Sequence, residues 1–161
     1  MTALLEEVLM EYMRARGYKL AAAESCTGGL VSHRITNVSG SSEYFPGGVV
    51  AYSYEAKASL LGVAWDTLSA HGAVSAETVL EMARGARKLF NADIAISVSG
   101  IAGPGGGTPE KPVGTTWFGL STKQGDWSRH FLWNGDREQN KHYSSDAALQ
   151  FVIDYLEGNV S

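Results

Sequence analysis

The sequence predicts an α/β protein: a three-layer sandwich with a mixed, mostly parallel central sheet and helices on both faces. Two observations lead to this fold class. Short apolar or small-residue runs alternate with helix-like patterns through residue 100, as is typical of parallel strands joined by helices. Two strand-like runs and a helix then follow, and the KQG segment between those runs indicates a hairpin. At 161 residues the chain is long enough to bury a core, and we expect one domain over 1–161.

Apolar residues at helical spacing, together with capping residues, predict five helices. The first has its apolar residues within 4–13 and a stop at Gly17. The fourth begins after Ser75, a residue suited to an N-cap, and its apolar stripe runs to Phe90. Before it we expect a loop that contains His71. The other helices are 27–37, entered through Thr27 or Ser25, then 54–62, and a C-terminal amphipathic helix that ends at Gly158.

Five short runs predict strands. The clearest is 93–100, where Ile94, Ile96 and Val98 alternate with other residues. The run KLAAAES at 19–25 is composed mainly of small residues, which suits a buried strand. The remaining predicted strands are 47–53, 115–121 and 126–133.

Composition excludes several classes of function. The net charge is −4 and the basic residues are scattered, so we expect no nucleic-acid partner and no anionic membrane surface. No apolar run approaches the roughly 18 residues of a bilayer span. The single cysteine rules out an internal disulfide, and early glutamates argue against a targeting peptide, so we expect a cytoplasmic protein. The four histidines lack metal-ligand spacing, so we expect no metal site.

The segment AESCTGG, residues 23–29, holds two candidate nucleophiles. Ser25 lies where a predicted strand ends and a helix begins, an edge at which α/β folds bind ligands. Backbone amides of Cys26 and Thr27 would then be available to a developing oxyanion. Ser25 could equally be a simple N-cap. Cys26 could be a thiolate nucleophile or a small buried apolar residue, and no histidine can be assigned to it as a partner.

A serine without an obvious histidine base directs attention to lysine. The segment YSYEAK offers Tyr52 at the end of the second predicted strand and Lys57 just beyond it. If strands one and two pair in parallel, their ends lie about 5 Å apart, and Lys57 could reach Ser25. A desolvated lysine there could take the serine proton. The alternative for Lys57 is a solvated charge on a helix.

The glycine-rich segment 99–114 follows the clearest strand. Its glycines, together with Ser99 and Thr108, could form a nest of amides and hydroxyls around a phosphate, although no Walker motif is present. Its prolines make it stiffer than a linker, and a plain surface loop is the alternative. In the following GDR motif, Arg137 could pair with a phosphate, or Asp136 could only cap the last helix.

Taken together, AESCTGG, YSYEAK, HGAVS at 71–75, SGIAGPGGGTPEKPVGT at 99–115 and GDR resemble the CinA C-terminal-domain family, over about residues 5 to 155. Stand-alone members of that family hydrolyse the carboxamide of nicotinamide mononucleotide to nicotinate mononucleotide and ammonia. The resemblance implies the same activity on a small nucleotide, the three-layer fold and self-association, with a dimer expected. It also implies that no metal or organic cofactor takes part.

The resemblance also assigns roles. It implies that Ser25 is the nucleophile, Lys57 the base and Tyr52 a residue that orients or relays a proton. The substrate-binding residues that we expect are the oxyanion-holding amides of Cys26, Thr27 and Gly28, the loop residues Ser99, Gly105, Gly106 and Thr108, and Arg137, with Thr108 and Arg137 as phosphate ligands.

Two departures from the family pattern have consequences for function. Tyr54 replaces the usual asparagine, which could crowd the pocket mouth or alter substrate choice. Asn140 and Lys141 replace an aliphatic–arginine pair, and lysine is a poorer bidentate partner than arginine. These departures leave open a second hypothesis, a catalytically silent member of the family that binds a nucleotide and regulates.

Overall fold

The computed structural model describes residues 2–160, which form a five-stranded sheet with helices on both faces. The strands are β1 (Leu20–Glu24), β2 (Gly47–Val50), β3 (Ile94–Gly100), β4 (Thr115–Thr122) and β5 (Gly125–Leu132). The helices are α1 (Leu5–Arg16), α2 (Leu30–Thr36), α3 (Tyr54–Leu61), α4 (Trp65–His71), α5 (Ala76–Leu89) and α6 (Arg137–Leu156), with a 3-10 turn at Ser41–Glu43.

The sheet has the strand order β2-β1-β3-β4-β5. β1 is parallel to both β2 and β3, whereas β4 is antiparallel to β3 and to β5. All strands except β4 therefore run in one direction. The prediction of a mixed, mostly parallel sheet is confirmed, including the hairpin that joins β4 to β5.

Strand β1, which lies between β2 and β3, separates two cores. Leu20 and Ala22 face the core beneath α1, α2 and α6, and Ala21 and Ala23 face the core beneath α3, α4 and α5. All five residues of β1 are buried. Small side chains suit such a strand because layers of helices cover it on both sides.

Helix boundaries differ from the prediction at two places. The loop expected around His71 contains α4, whose only buried residue is Leu68, so the sequence carries no periodic apolar stripe there. Helix α2 begins at Leu30 and is capped by Gly29, rather than entered through Thr27 or Ser25. Gly28 and Gly29 have φ values of 61° and 106°, a left-handed turn that an α-helix cannot contain.

The last helix begins as the sequence predicts. The Asp136 side chain accepts a hydrogen bond from Gln139 N, and the Gln139 side chain accepts one from Asp136 N. This capping box satisfies two amides at the start of α6. None of the helices within residues 2–160 has both the length and the apolar composition that a bilayer crossing requires.

Candidate active site

Ser25 lies between the carboxyl ends of two neighbouring strands. Its amide donates to the carbonyl oxygen of Val98 at 3.0 Å, and the amide of Ala51 donates to the carbonyl oxygen of Glu24 at 2.8 Å. The ends of β1, β2 and β3 therefore meet around this serine. Loops that follow such strand ends are where open α/β sheets form their ligand sites.

Lys57 brings a buried amine to the same point. Its Nζ lies 3.0 Å from Ser25 Oγ and is also within hydrogen-bond distance of the carbonyl oxygens of Ala51, at 2.9 Å, and Tyr52, at 3.1 Å. The side chain is 1% exposed. Lys57 is in the first turn of α3, and helical side chains lean toward the helix N-terminus, so it points back to the strand ends. The structure thus brings together the predicted nucleophile and base.

The contacts of the amine suit a general base. Burial lowers the pKa of Lys57 below its ordinary value of 10.5, because desolvation disfavours the ammonium form. A neutral amine has two N–H groups and one lone pair. The two carbonyl oxygens can accept both N–H groups, which directs the lone pair at the hydroxyl of Ser25. In that neutral state the hydroxyl can donate a hydrogen bond to Nζ, whereas in the ammonium state Nζ donates to Ser25 Oγ.

The turn after Ser25 contains backbone amides that are available to a ligand. The Gly28 amide donates to the Ser25 carbonyl oxygen at 3.1 Å, and the Leu30 amide donates to that of Thr27, also at 3.1 Å. The amides of Cys26, Thr27 and Gly29 have no hydrogen-bond acceptor within residues 2–160, and the first two directly follow the serine. Of the three amides expected to hold an oxyanion, the Gly28 amide is therefore already engaged.

The N-terminus of α2 is occupied by a carboxylate of the protein itself. Glu24, 1% exposed, accepts hydrogen bonds from the amides of Val31 and Ser32, both at 2.9 Å. It also accepts from the hydroxyl of Thr27 at 2.6 Å and from that of Ser32 at 2.7 Å. Glu24 thus satisfies two of the first amides of α2, those of Val31 and Ser32, and the Thr27 hydroxyl is engaged as well.

The side chain of Tyr52 is away from the serine–lysine pair. Its carbonyl oxygen contacts Lys57, but its hydroxyl accepts a hydrogen bond from Arg137 Nη2 at 3.3 Å, and the residue is 62% exposed. Nη1 of the same arginine donates to the carbonyl oxygen of Gly103 at 2.8 Å. Arg137 therefore joins the end of β2 to the glycine-rich loop.

Tyr54, one of the two departures, is the first residue of α3. Its ring is partly exposed and lies 6.5 Å from that of Trp65, centroid to centroid. A side chain on Gly72 would come within 3.8 Å of its hydroxyl. Tyr54 thus lies beside both ends of α4. The glycine-rich loop is attached to one of them, at His71.

The glycine-rich loop, residues 101–114, is attached to the fold at both ends. Asn140, 2% exposed, donates from Nδ2 to the carbonyl oxygen of Ala102 at 3.0 Å and accepts from the Gly135 amide at 2.9 Å. Lys111 Nζ donates to the carbonyl oxygen of His71 at 2.6 Å. Asn140, one of the residues that depart from the family pattern, therefore has a structural role, because its side-chain amide holds the loop to α6.

The predicted ligands within or next to this loop occupy different settings. Ser99 is 1% exposed and is paired with Trp117 across β3 and β4. The hydroxyl of Thr108 accepts from the Lys111 amide at 3.0 Å, which closes a turn inside the loop. Gly105 and Gly106 are exposed, and neither they nor Thr108 contact the serine–lysine pair through a hydrogen bond within the described residues.

Lys141, the second departure, lies beside the nucleophile turn. A side chain on Gly28 would come within 3.6 Å of Lys141 Nζ. Lys141 and Arg137 line a pocket of about 410 Å³ together with Leu30, Glu138 and His142. Arg137 and Lys141 are four residues apart, which places them on one face of α6. This spacing is the sequence signal from which their shared pocket could have been predicted. A larger pocket, about 630 Å³, lies between α1, β5 and α6 and contains no member of the serine–lysine pair.

Cys26 is a protonated thiol rather than a thiolate. It is 8% exposed, and burial raises its pKa to about 12. A nucleophilic cysteine requires a lowered pKa, so its surroundings disfavour the cysteine alternative. Within residues 2–160 no three or more His, Cys, Asp or Glu side chains are grouped so that they could hold a metal ion.

A buried serine hydrogen-bonded to a buried lysine, at the carboxyl edge of a three-layer α/β sheet, is the kind of arrangement in which a lysine can activate a serine nucleophile. The chain belongs to the CinA C-terminal domain family, whose model matches residues 2–156.

Two relatives show how the family is organised. The chain is 49% identical over 147 residues to the nicotinamide-nucleotide amidohydrolase PncC of Escherichia coli, a match that covers 91% of this chain and 89% of that protein. It is 47% identical over 154 residues to a putative competence-damage inducible protein of Caldanaerobacter subterraneus, covering 96% of this chain and 37% of the relative. The chain thus spans little more than a third of the length of such relatives.

Solved structures confirm the fold. A CinA superfamily protein from Klebsiella pneumoniae superposes with a TM-score of 0.92 at 34% identity, over 97% of this chain and 99% of that one. The competence/damage inducible protein CihA of Agrobacterium tumefaciens gives 0.90 at 35% identity, over 98% and 99%. The family resemblance seen in the motifs is therefore confirmed.

Proposed function

We propose that this chain is a nicotinamide mononucleotide deamidase that uses Ser25 as nucleophile and Lys57 as base. The observation that carries the proposal is the buried 3.0 Å contact between Lys57 Nζ and Ser25 Oγ, with two carbonyl oxygens placed to accept the N–H groups of the amine. The relative named nicotinamide-nucleotide amidohydrolase supports the choice of substrate, because this chain matches that protein over 89% of its length.

In the first half of the reaction, Ser25 Oγ attacks the carboxamide carbon while Lys57 accepts the hydroxyl proton. Negative charge then develops on the carboxamide oxygen, and the amides of Cys26 and Thr27 donate to it. The ammonium of Lys57 returns its proton to the nitrogen, the C–N bond breaks, and ammonia leaves. The cationic pyridinium ring withdraws electrons from the amide and makes its carbon more electrophilic.

In the second half, water hydrolyses the acyl-enzyme. Lys57 accepts a proton from the water as it attacks the ester carbon, and then returns that proton to Ser25 Oγ as nicotinate mononucleotide departs. The reaction as proposed needs neither a metal nor an organic cofactor. It requires only that the amine be neutral when each attack begins.

The charges of α6 support a position for the phosphate. Arg137 and Lys141 bring two cations to the pocket beside Gly28, where a phosphate could accept their hydrogen bonds. Tyr52, through its contact with Arg137, would then line the path between the two ends of the substrate rather than relay a proton. Ser99, Gly105, Gly106 and Thr108 would surround the ribose from the loop side.

The proposal is tested by ammonia release from nicotinamide mononucleotide. Wild-type protein should turn over, Ser25→Ala should lose at least about a thousandfold in kcat, and Ser59→Ala, an exposed serine on the same helix as Lys57, should match wild type. Nicotinamide riboside, which lacks the phosphate, should react with a raised KM. Wild-type protein no faster than Ser25→Ala would overturn the enzyme proposal, and tight binding of the nucleotide would then support the silent regulatory member.

Two further expectations stay predictions from the family. We infer that 1–161 acts as one amidohydrolase domain in the cytoplasm, and that it self-associates, with a dimer expected. Sedimentation equilibrium at micromolar concentration tests the second point, and a monomer there would contradict it.

A further inference from the structure

We infer that Glu24 is a positioning residue for the proposed reaction: its buried carboxylate holds the turn of residues 25–29 so that the amides of Cys26 and Thr27 remain available to the oxyanion. The inference rests on the proposed function, since it assigns to those amides the charge that develops when Ser25 attacks. Glu24 itself would touch neither the substrate nor the reacting atoms.

All the acceptor capacity of this carboxylate is used locally. Oε1 accepts from the Thr27 hydroxyl and the Val31 amide, and Oε2 accepts from the amide and the hydroxyl of Ser32. A buried carboxylate is costly unless it is paired or fully hydrogen-bonded. Within residues 2–160 Glu24 forms no ion pair with a lysine or arginine, so four donors and the positive end of α2 stabilise its charge.

These bonds attach the turn to the sheet at both of its ends. Glu24 is the last residue of β1, and its own carbonyl oxygen accepts from Ala51, so its backbone is part of the sheet. Its side chain reaches forward across the turn to Thr27 and to the start of α2. The nucleophile lies inside the loop that this side chain closes, and the hydrogen bond from Gly28 to the Ser25 carbonyl narrows that loop further.

The occupied helix N-terminus has a chemical consequence. Without the carboxylate, the first amides of α2 would lack an acceptor, and the turn could rearrange to supply one from its own carbonyls. Water or the substrate could also bind at these free helix amides. Because Glu24 satisfies the amides of Val31 and Ser32 and the Thr27 hydroxyl, the amides of Cys26 and Thr27, which directly follow the nucleophile, stay free to donate. This division of donors is the preorganisation that oxyanion stabilisation requires.

Glutamine at position 24 tests this reasoning because it keeps the shape and removes half of the acceptor capacity. The NH₂ group of the glutamine would replace one carboxylate oxygen and would face the two donors of that oxygen, although an NH₂ group can only donate. We expect Glu24→Gln to lower kcat for nicotinamide mononucleotide by about a hundredfold while KM changes by less than about threefold, the pattern of an interaction made in the transition state.

A second readout is independent of the substrate. A fluorophosphonate probe labels an activated serine and uses the same oxyanion donors, so Glu24→Gln should slow the labelling of Ser25, followed by intact mass, by a similar factor. If wild-type protein released no ammonia, the proposed function would fail, and this labelling rate would still decide the role of Glu24.

Two variants complete the design. Glu7→Gln is the control, because it also removes a carboxylate from a helix N-terminus. Glu7 is on the exposed side of α1, where its Oε2 accepts from the Leu4 amide at 3.2 Å. This variant should leave kcat and the labelling rate unchanged. If Glu24→Gln does not fold, Ser32→Ala removes one donor to Oε2 and should lower kcat several-fold. A Glu24→Gln protein with a lowered Tm but unchanged kcat and labelling, or with a raised KM alone, would overturn the inference.

Discussion

Replacement of Lys57 by methionine tests the centre of the proposed mechanism. Methionine fills a similar volume without an amine, so Ser25 loses the hydrogen-bond partner that could take its proton. A positioned general base contributes about 10²- to 10⁴-fold to rate. The contact is short and buried, and no other side chain within residues 2–160 is hydrogen-bonded to Ser25 Oγ, so we expect a loss near the upper end. A 10⁴-fold loss in kcat corresponds to about 5.5 kcal/mol in activation free energy.

The same substitution should cost stability. The amine is within hydrogen-bond distance of two carbonyl oxygens, and that of Ala51 belongs to a fully buried residue. An acceptor left without its donor costs about 1–3 kcal/mol, and relief from burying the amine offsets part of that. We therefore expect a net loss of about 1–2 kcal/mol, which lowers Tm by a few degrees in a chain of this size.

The pH dependence of that stability difference gives an independent check on the pKa of Lys57. The folded-state pKa lies below the unfolded value of 10.5, so between these two values the unfolded chain binds more protons. The stability of wild type relative to Lys57→Met should consequently rise with pH through that window and be constant below it. A difference that falls with rising pH would mean that the folded state favours the ammonium form.

The assay is ammonia release from nicotinamide mononucleotide, with Lys88→Met as the matched control. Lys88 is an exposed lysine near the end of α5, and the same substitution there should leave kcat and Tm unchanged. A Lys57→Met protein that is folded and retains more than about a tenth of wild-type kcat would refute the assignment of this amine as the base.

Three further predictions concern the pH dependence of the rate, the thiol and the packing of α3. The value of kcat/KM should rise tenfold per pH unit on its acid side and level off below pH 10.5, since only neutral Lys57 accepts the proton; a flat profile would contradict this. Cys26, with a pKa of about 12, should react slowly with iodoacetamide at pH 8, and Cys26→Ala should retain activity within about threefold, whereas rapid labelling would argue for a thiolate. In Gly85→Ala the new Cβ would lie 1.8 Å from the carbonyl oxygen of Leu61, so α3 must move away from α5. We expect the free energy of unfolding, measured by thermal unfolding, to fall by about 2–3 kcal/mol, and kcat to fall as well. On an exposed helix, glycine to alanine usually stabilises a protein. A stabilised Gly85→Ala protein would therefore contradict the prediction and show that the contact relaxes freely.

The site owes its form to elements that converge from separate parts of the chain. Ser25 comes from the end of β1, Lys57 from the first turn of α3, and Arg137 and Lys141 from the first turns of α6. The first two meet in the protein interior, where burial lowers the pKa of the lysine amine. The side chains of Arg137 and Lys141 line a solvent-facing pocket on α6, where a charged group would have access to both. One edge of the sheet therefore offers an environment for each half of the proposed substrate.

By itself the sequence determined the features that depend on near neighbours. The alternation in 93–100, the caps at Ser75 and Asp136, and the order of strands and helices follow from local periodicity and hydrogen bonding, and the structure agrees with them. The placement of Ser25 at a strand end was predictable for the same reason. Helix α4 was not, because a helix that buries only Leu68 carries almost no apolar signal.

The tertiary structure alone decided which groups meet. Ser25 and Lys57 are 32 residues apart, and their 3.0 Å contact depends on the register of β1 against β2 and on the direction of a side chain in the next helix. The engagement of the α2 amides by Glu24, and of the Tyr52 hydroxyl by Arg137, likewise depends on packing. Burial and long-range pairing set these contacts and the lowered pKa of Lys57, and neither is encoded in the spacing of residues along a single segment.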